Sequence, residues 1–162
     1  MEWEQRLAAL WDSFDDYSEE AFLIAMEELV AELPVDSPIA AFELAGALDS
    51  TGHEERAVAL YRRALGLGLS GARRRRAVIQ LASSLRNVGQ MAEGVALLRA
   101  ERERGSDELD DAISAFLALL LVDTGREREA VGIALAALAP YLPRYQRSLS
   151  NYARELMDNS AR

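Results

Sequence analysis

The chain has 162 residues, half of them apolar, enough for one domain or a short repeat array with a buried core. It has no cysteine and one histidine, which excludes disulfides, thiol nucleophiles, cysteine–zinc centres and any two-histidine metal site within one chain. The formal charge of −9 argues against a general nucleic-acid binder. The first element is a stripe at helical spacing, Trp3, Leu7, Leu10, Trp11 and Phe14, broken by Asp15-Asp16 and Tyr17-Ser18. Ser18 reads as an N-cap with Glu19-Glu20 in the first turn. The helix that follows is expected to reach about Leu33, with Phe22, Met26, Leu29 and Leu33 on one side. Residues 1–36 thus read as an acidic helical hairpin that caps whatever follows.

Ser37-Pro38 reads as an N-cap and a first helical residue, and from there the chain repeats itself. Leu44-Ala45-Gly46-Ala47-Leu48-Asp49-Ser50-Thr51-Gly52 recurs as Leu81-Ala82-Ser83-Ser84-Leu85-Arg86-Asn87-Val88-Gly89. It recurs again as Leu117-Ala118-Leu119-Leu120-Leu121-Val122-Asp123-Thr124-Gly125. Five residues after each glycine comes a small residue followed by valine: Ala57-Val58, Gly94-Val95 and Ala130-Val131. Within each unit the two leucines, four apart, share a helix face. The alanine beside them lets a second helix come close, and the glycine ends the first helix in a left-handed conformation. Each unit is a helical hairpin that cannot bury its apolar face alone, so the hairpins are expected to stack. The repeats are placed at about 38–70, 71–105 and 107–139, the third opening at Ser106-Asp107-Glu108. Pro140 and Pro143 bracket a turn. Tyr145, Leu149, Tyr152, Ala153 and Leu156 then mark a C-terminal capping helix within 143–162.

This pattern resembles the tetratricopeptide repeat family over roughly residues 37–142. With each turn glycine aligned, Ala45, Ala82 and Ala118 take the small position of the first helix, and Ala57, Gly94 and Ala130 that of the second. Tyr61 matches the aromatic position, and Ala64 and Ala137 the last small one. The stretch from Phe42 to Leu69 and the segment Leu142–Leu149 look like the bacterial "group 5" type. The chain departs from the pattern at the early aromatic, replaced by Ala41, Val78 and Ser114, and at the terminal proline, replaced by Leu69. It also carries Glu101 at a small position, so that helix is expected to be short or shifted. The spacing of the turn glycines exceeds the usual repeat of about 34 residues. The resemblance implies an all-α fold, an α-α superhelix or solenoid of antiparallel hairpins. It also implies a concave wall formed here by Phe42, Asp49, Arg76, Ile79, Ser83, Arg86, Asn87, Leu119 and Asp123, beside Ile39, Gly46, Ser50, Ala112, Ala115 and Val122. On that wall Phe42 and Ile79 would be apolar anchors, and Arg76, Arg86 and Asn87 polar contacts, for a protein or peptide partner. The pattern of a carboxylate clamp is missing, since Phe42 and Gly46 stand at its lysine and asparagine positions. The alternative is a groove filled by the chain's own terminal helices, with self-association into a homodimer through the stripe of Trp3 and Trp11.

No nucleophile motif, P-loop or dinucleotide fingerprint is present, so an adaptor rather than an enzyme is expected, with no catalytic residue, cofactor or metal. His53-Glu54-Glu55 reads as surface, because consecutive helical residues face different ways. Asp15-Asp16 and Asp110-Asp111 read as helix starts or solvated pairs. Charge is segregated: residues 1–37 hold eleven acids and one arginine. Arg73-Arg74-Arg75-Arg76 is the one basic run and sits at a helix N-terminus, where positive charge is disfavoured. It reads as a phosphate or acidic-partner site, as a counterpart of the acidic hairpin, or as solvated surface. Residues 76–104 can also be read as a DNA-binding helix-turn-helix, which makes a DNA-binding regulator the second alternative; the same pattern recurs without basic neighbours in an acidic chain, so no nucleic-acid partner is expected. No apolar run reaches the ~18–20 residues of a membrane span, and no signal peptide is visible at the start; a cytoplasmic location and no membrane partner follow as expectations. Every basic residue except His53 is arginine, and alanine and leucine abound, which reads as a GC-rich, bacterial coding sequence.

Overall fold

Strong helix formers punctuated by caps and turn glycines give nine α-helices among the described residues, 2–158 of this computed structural model. They are α1 (Trp3–Asp12), α2 (Glu19–Val30), α3 (Pro38–Ser50), α4 (Glu54–Gly66), α5 (Gly71–Asn87), α6 (Met91–Arg104), α7 (Asp110–Asp123), α8 (Glu127–Leu138) and α9 (Gln146–Asp158). Single 3-10 turns follow α1 and α8. The fold is all-α, built of helices that pack on their sequence neighbours, as the repeat pattern implies. Its contacts divide it between Ser84 and Leu85 into two compact units, described in turn.

The capping chemistry is local and legible. Ser18 Oγ accepts from the Ala21 amide and Ser37 Oγ from the Ala40 amide, each at 3.2 Å, with Pro38 at the first helical position. The three turn glycines adopt φ of 74, 80 and 73°, a region in which a Cβ is strained. Each closes the same motif. The residue after the glycine donates back to Leu48, Leu85 or Leu121, at 2.8, 2.7 and 2.9 Å, satisfying the carbonyls that the helix end leaves open. Gly68 (φ 86°) repeats the device after α4, where the Leu69 amide reaches the Ala64 carbonyl at 3.1 Å. Leu69, standing where a proline was expected, is buried and supplies the apolar contact that accompanies such a stop.

In the first unit α1, α2 and α3 enclose Leu7, Phe22, Met26, Leu29, Val30 and Ala47, with Trp3, Leu10, Trp11, Phe14 and Leu44 packed against them. The stripe on α1 therefore faces inward. Trp11 and Phe14 pack on Phe22 at centroid distances of 5.1 and 4.7 Å, and Trp3 Nε1 donates to the Leu29 carbonyl at 2.9 Å. Trp3 and Trp11 thus pack within the chain and stay partly exposed. Ala45, Ala57 and Ala64 are fully buried, as small residues at the α3–α4 crossing require.

In the second unit α6 to α9 enclose Leu98, Ile113, Leu117, Leu120, Leu121 and Ile133. Ala118 and Ala130 are buried. Gly132 marks a tighter crossing: a Cβ there would lie 2.8 Å from Met157 Cγ and 2.9 Å from the Ala153 carbonyl oxygen of α9. Three expectations need correction. Helix α2 stops at Val30, not Leu33. Helix α6 is neither short nor displaced by Glu101; it runs for 14 residues with Glu101 buried. Helix α7 begins at Asp110, not Ser106. Here Asp110 accepts from the Ser106 hydroxyl and the Asp107 amide, and Asp107 accepts from the Leu109 amide at 2.8 Å. These side chains compete with the helix for backbone donors and hold 106–109 as a turn.

Candidate interaction surface

The residues expected on one wall behave differently in the two units. In the first unit Phe42 and Ile79 retain 2% and 7% of their exposure, so neither offers an apolar anchor to a partner. For Phe42 the physical reason is that Tyr61 and Arg76 pack on its ring while α1 covers the same helix. Trp11 lies 3.3 Å from where a Cβ on Gly46 would stand, and its Nε1 donates to Glu43 at 3.2 Å. Glu43 itself is 3% exposed. Arg73 bridges the two elements, with Nε on Glu43 at 3.0 Å and Nη2 on Glu4 of α1 at 2.6 Å. The first arginine of the basic run is therefore compensated by the acidic hairpin and by α3, one of its three readings. The last, Arg76, places its guanidinium 5.5 Å from the centroid of the Phe42 ring, a cation–π contact that completes the lid over that ring.

Asp49 sits half-buried in the same cluster and accepts from Ser84 Oγ at 2.8 Å. Burial holds its carboxyl above the ordinary carboxylate range, the Ser84 hydrogen bond pulls it back, and the charge of Glu54 adds to the rise. Tyr61 is buried beside it, and burial with the charges of Asp49 and Glu43 pushes its phenol far up. The cluster is a closed polar core under α1. It unites Phe42, Asp49 and Arg76 but leaves Ser83 outside these contacts; Ile79 is buried. Sequence reasoning missed Ser84, the buried member of the Ser83-Ser84 pair, since the repeat motif does not say which serine faces inward. It missed Glu43 as well; its signal was a lone acid flanked by apolar residues, Ala41-Phe42 and Leu44-Ala45.

The second unit leaves its share open. On α7, Leu119 and Val122 are 46% and 47% exposed, and Ala115, four residues before Leu119, is exposed too. Spacings of three and four place them on one face. At one end of this stripe Arg86 Nε donates to Asp123 Oδ2, and Asn87 stands exposed beside Arg86. The structure thus brings Arg86 onto Asp123, one helical turn from Leu119, as an apolar strip with a polar end.

Among the described residues no cluster of histidine, aspartate or glutamate is arranged to hold a metal ion, and no helix is long and apolar enough to cross a membrane. His53 is exposed and precedes α4 without capping it. The family model that matches the chain is that of the tetratrico peptide repeat, over residues 38–156. Comparison with curated proteins and with solved structures gave no match.

Proposed function

The chain belongs to the tetratricopeptide repeat family, whose members are generally protein-interaction modules, and we propose that this one is a non-catalytic adaptor that binds a partner protein through the open face of α7. One observation carries the reading. Leu119 and Val122 are large aliphatic side chains, adjacent and half exposed on a rigid helix. Their burial by a partner would contribute roughly 25 cal/mol per Å² of apolar area. The neighbouring Arg86, Asn87 and Asp123 supply the polar rim that fixes orientation. The occupant that suits this arrangement is a peptide or helix with an aliphatic anchor and polar flanks. In this reading residues 37–142 form three repeats, the hairpin at 1–36 caps one end and fills the first repeat's groove with Trp11, and 143–162 caps the other. The cytoplasm is the proposed compartment.

The test is affinity capture from cells of the source organism, comparing the wild-type chain with Leu119→Glu/Val122→Glu. An Ile24→Glu variant serves as control, because Ile24 is an equally exposed aliphatic on α2. The expected result is a discrete partner retained by wild type and control and lost from the double variant. Identical partner lists for all three would refute the assignment.

A further inference from the structure

A groove opens in the first unit where α2, α3 and α4 meet. Its volume is about 380 Å³, within the range of small-molecule sites, about 300–1,000 Å³. The lining is mostly apolar. Val30 comes from α2, Ala40, Ala41 and Leu44 from α3, and Leu60 from α4. The link 33–35 forms one edge, where Val35 stands 90% exposed. An aliphatic side chain so uncovered beside an apolar groove marks surface that gains from being covered.

Size and charge together name the occupant. Ala41 stands where the repeat pattern carries its early aromatic, and it lies buried in the lining of this groove. The small side chain leaves room beside it, so a planar aromatic ring is the body that fits. The charged residues of the lining are Glu27 of α2 and Arg63 of α4. Both are exposed, and neither forms a salt bridge to a described residue. A ligand of either sign would be attracted by one and repelled by the other, and would also shed water from its own charge. The complement is therefore a neutral molecule. Arg63 Nη2 donates to the Val35 carbonyl at 2.7 Å. That bond ties the link to α4, so the groove is preformed, and it holds the guanidinium at the groove, where an aromatic face can meet it. We propose that this groove binds a small neutral aromatic molecule, its ring against Ala41, Leu44 and Leu60. The site lies wholly within the first unit and is independent of the α7 face, so either can fail alone.

Titration of the isotope-labelled full chain with indole, followed by amide shifts in solution NMR, tests it. Saturable shifts are expected in the millimolar range, centred on Ala40, Ala41, Leu44 and Leu60. Indole-3-acetate and tryptamine, which add a negative and a positive charge, should each bind at least ~3-fold more weakly. Cyclohexanol, neutral but not aromatic, should bind more weakly as well. Ala41→Phe places a ring of the chain's own in the groove and should abolish the shifts, with circular dichroism to check that the variant remains helical. Should it fail to fold, Ala40→Phe, at a half-buried position of the same lining, makes the same test. Shifts that never saturate, or that persist in the filled variant, overturn the proposal. Tighter binding of either charged analogue overturns it in favour of an ion site, and equal binding of cyclohexanol overturns it in favour of an apolar patch without preference for a ring.

Discussion

Arg73 shows how one side chain converts a local disadvantage into a tertiary contact. A cation in the first turn of a helix is unfavourable, yet Arg73 is held by Glu4 and by the buried Glu43. The exposed Glu4 arm contributes little; the Glu43 arm matters because Glu43 is buried and a buried charge is costly when it loses an ionic partner. Arg73→Ala is therefore expected to cost about 1–3 kcal/mol in urea unfolding. Adding Glu43→Gln to that variant should recover part of the loss, since a neutral amide is cheaper to bury; a double variant less stable than Arg73→Ala would show that Glu43 is not an uncompensated charge there. Asp49 makes a pH-dependent contribution of the opposite kind. Its carboxyl is raised by burial, so the folded state holds that proton more tightly than the unfolded chain. Stability from this group is present below the ordinary carboxylate range and is lost as pH climbs to the raised folded value. Asp49→Asn should remove this component, leaving a variant whose stability, followed by urea unfolding at stepped pH, declines less than the wild type's across that window. Equal slopes would show that Asp49 does not titrate abnormally.

The helices themselves were written plainly in the chain. Ser18, Ser37 and the three glycines at 52, 89 and 125 announced starts and stops that the backbone obeys, because capping depends on a few adjacent atoms. The start of α7 was misplaced for the same local reason: Ser106, Asp107 and Asp110 can satisfy backbone donors in a turn as readily as in a helix. Gly132 was not legible as a crossing point, since a glycine inside a helix has no sequence signal that separates close packing from mere tolerance. The structure supplies the distinction. Gly132→Ala would gain about 1 kcal/mol of helix propensity, but its Cβ must displace Met157 and the Ala153 carbonyl. Overpacking of this kind costs about 1–3 kcal/mol. The backbone oxygen cannot swing aside, so thermal unfolding should show a net loss of about 1–2 kcal/mol. A variant as stable as wild type would mean that α9 shifts freely on α8.

Across the whole chain, sequence reasoning gave the repeat and a set of positions expected on one wall, and it did not give which of them are covered within their own unit. Periodicity reports the face on which a residue lies, and coverage depends on another element arriving. The arrival of Trp11 at Gly46 closes the first unit's share around Phe42, while Leu119 and Val122 in the second unit remain half exposed. If the chain is an adaptor, partners are met on one face of α7. Site-specific photo-crosslinking in living cells measures this most directly, with the reactive side chain placed at Leu119 in one variant and at exposed Ser50, at the end of α3, in another. A discrete protein adduct is expected from position 119 and none from position 50; an adduct from position 50 alone, or from neither, would show that α7 is not the face on which partners bind.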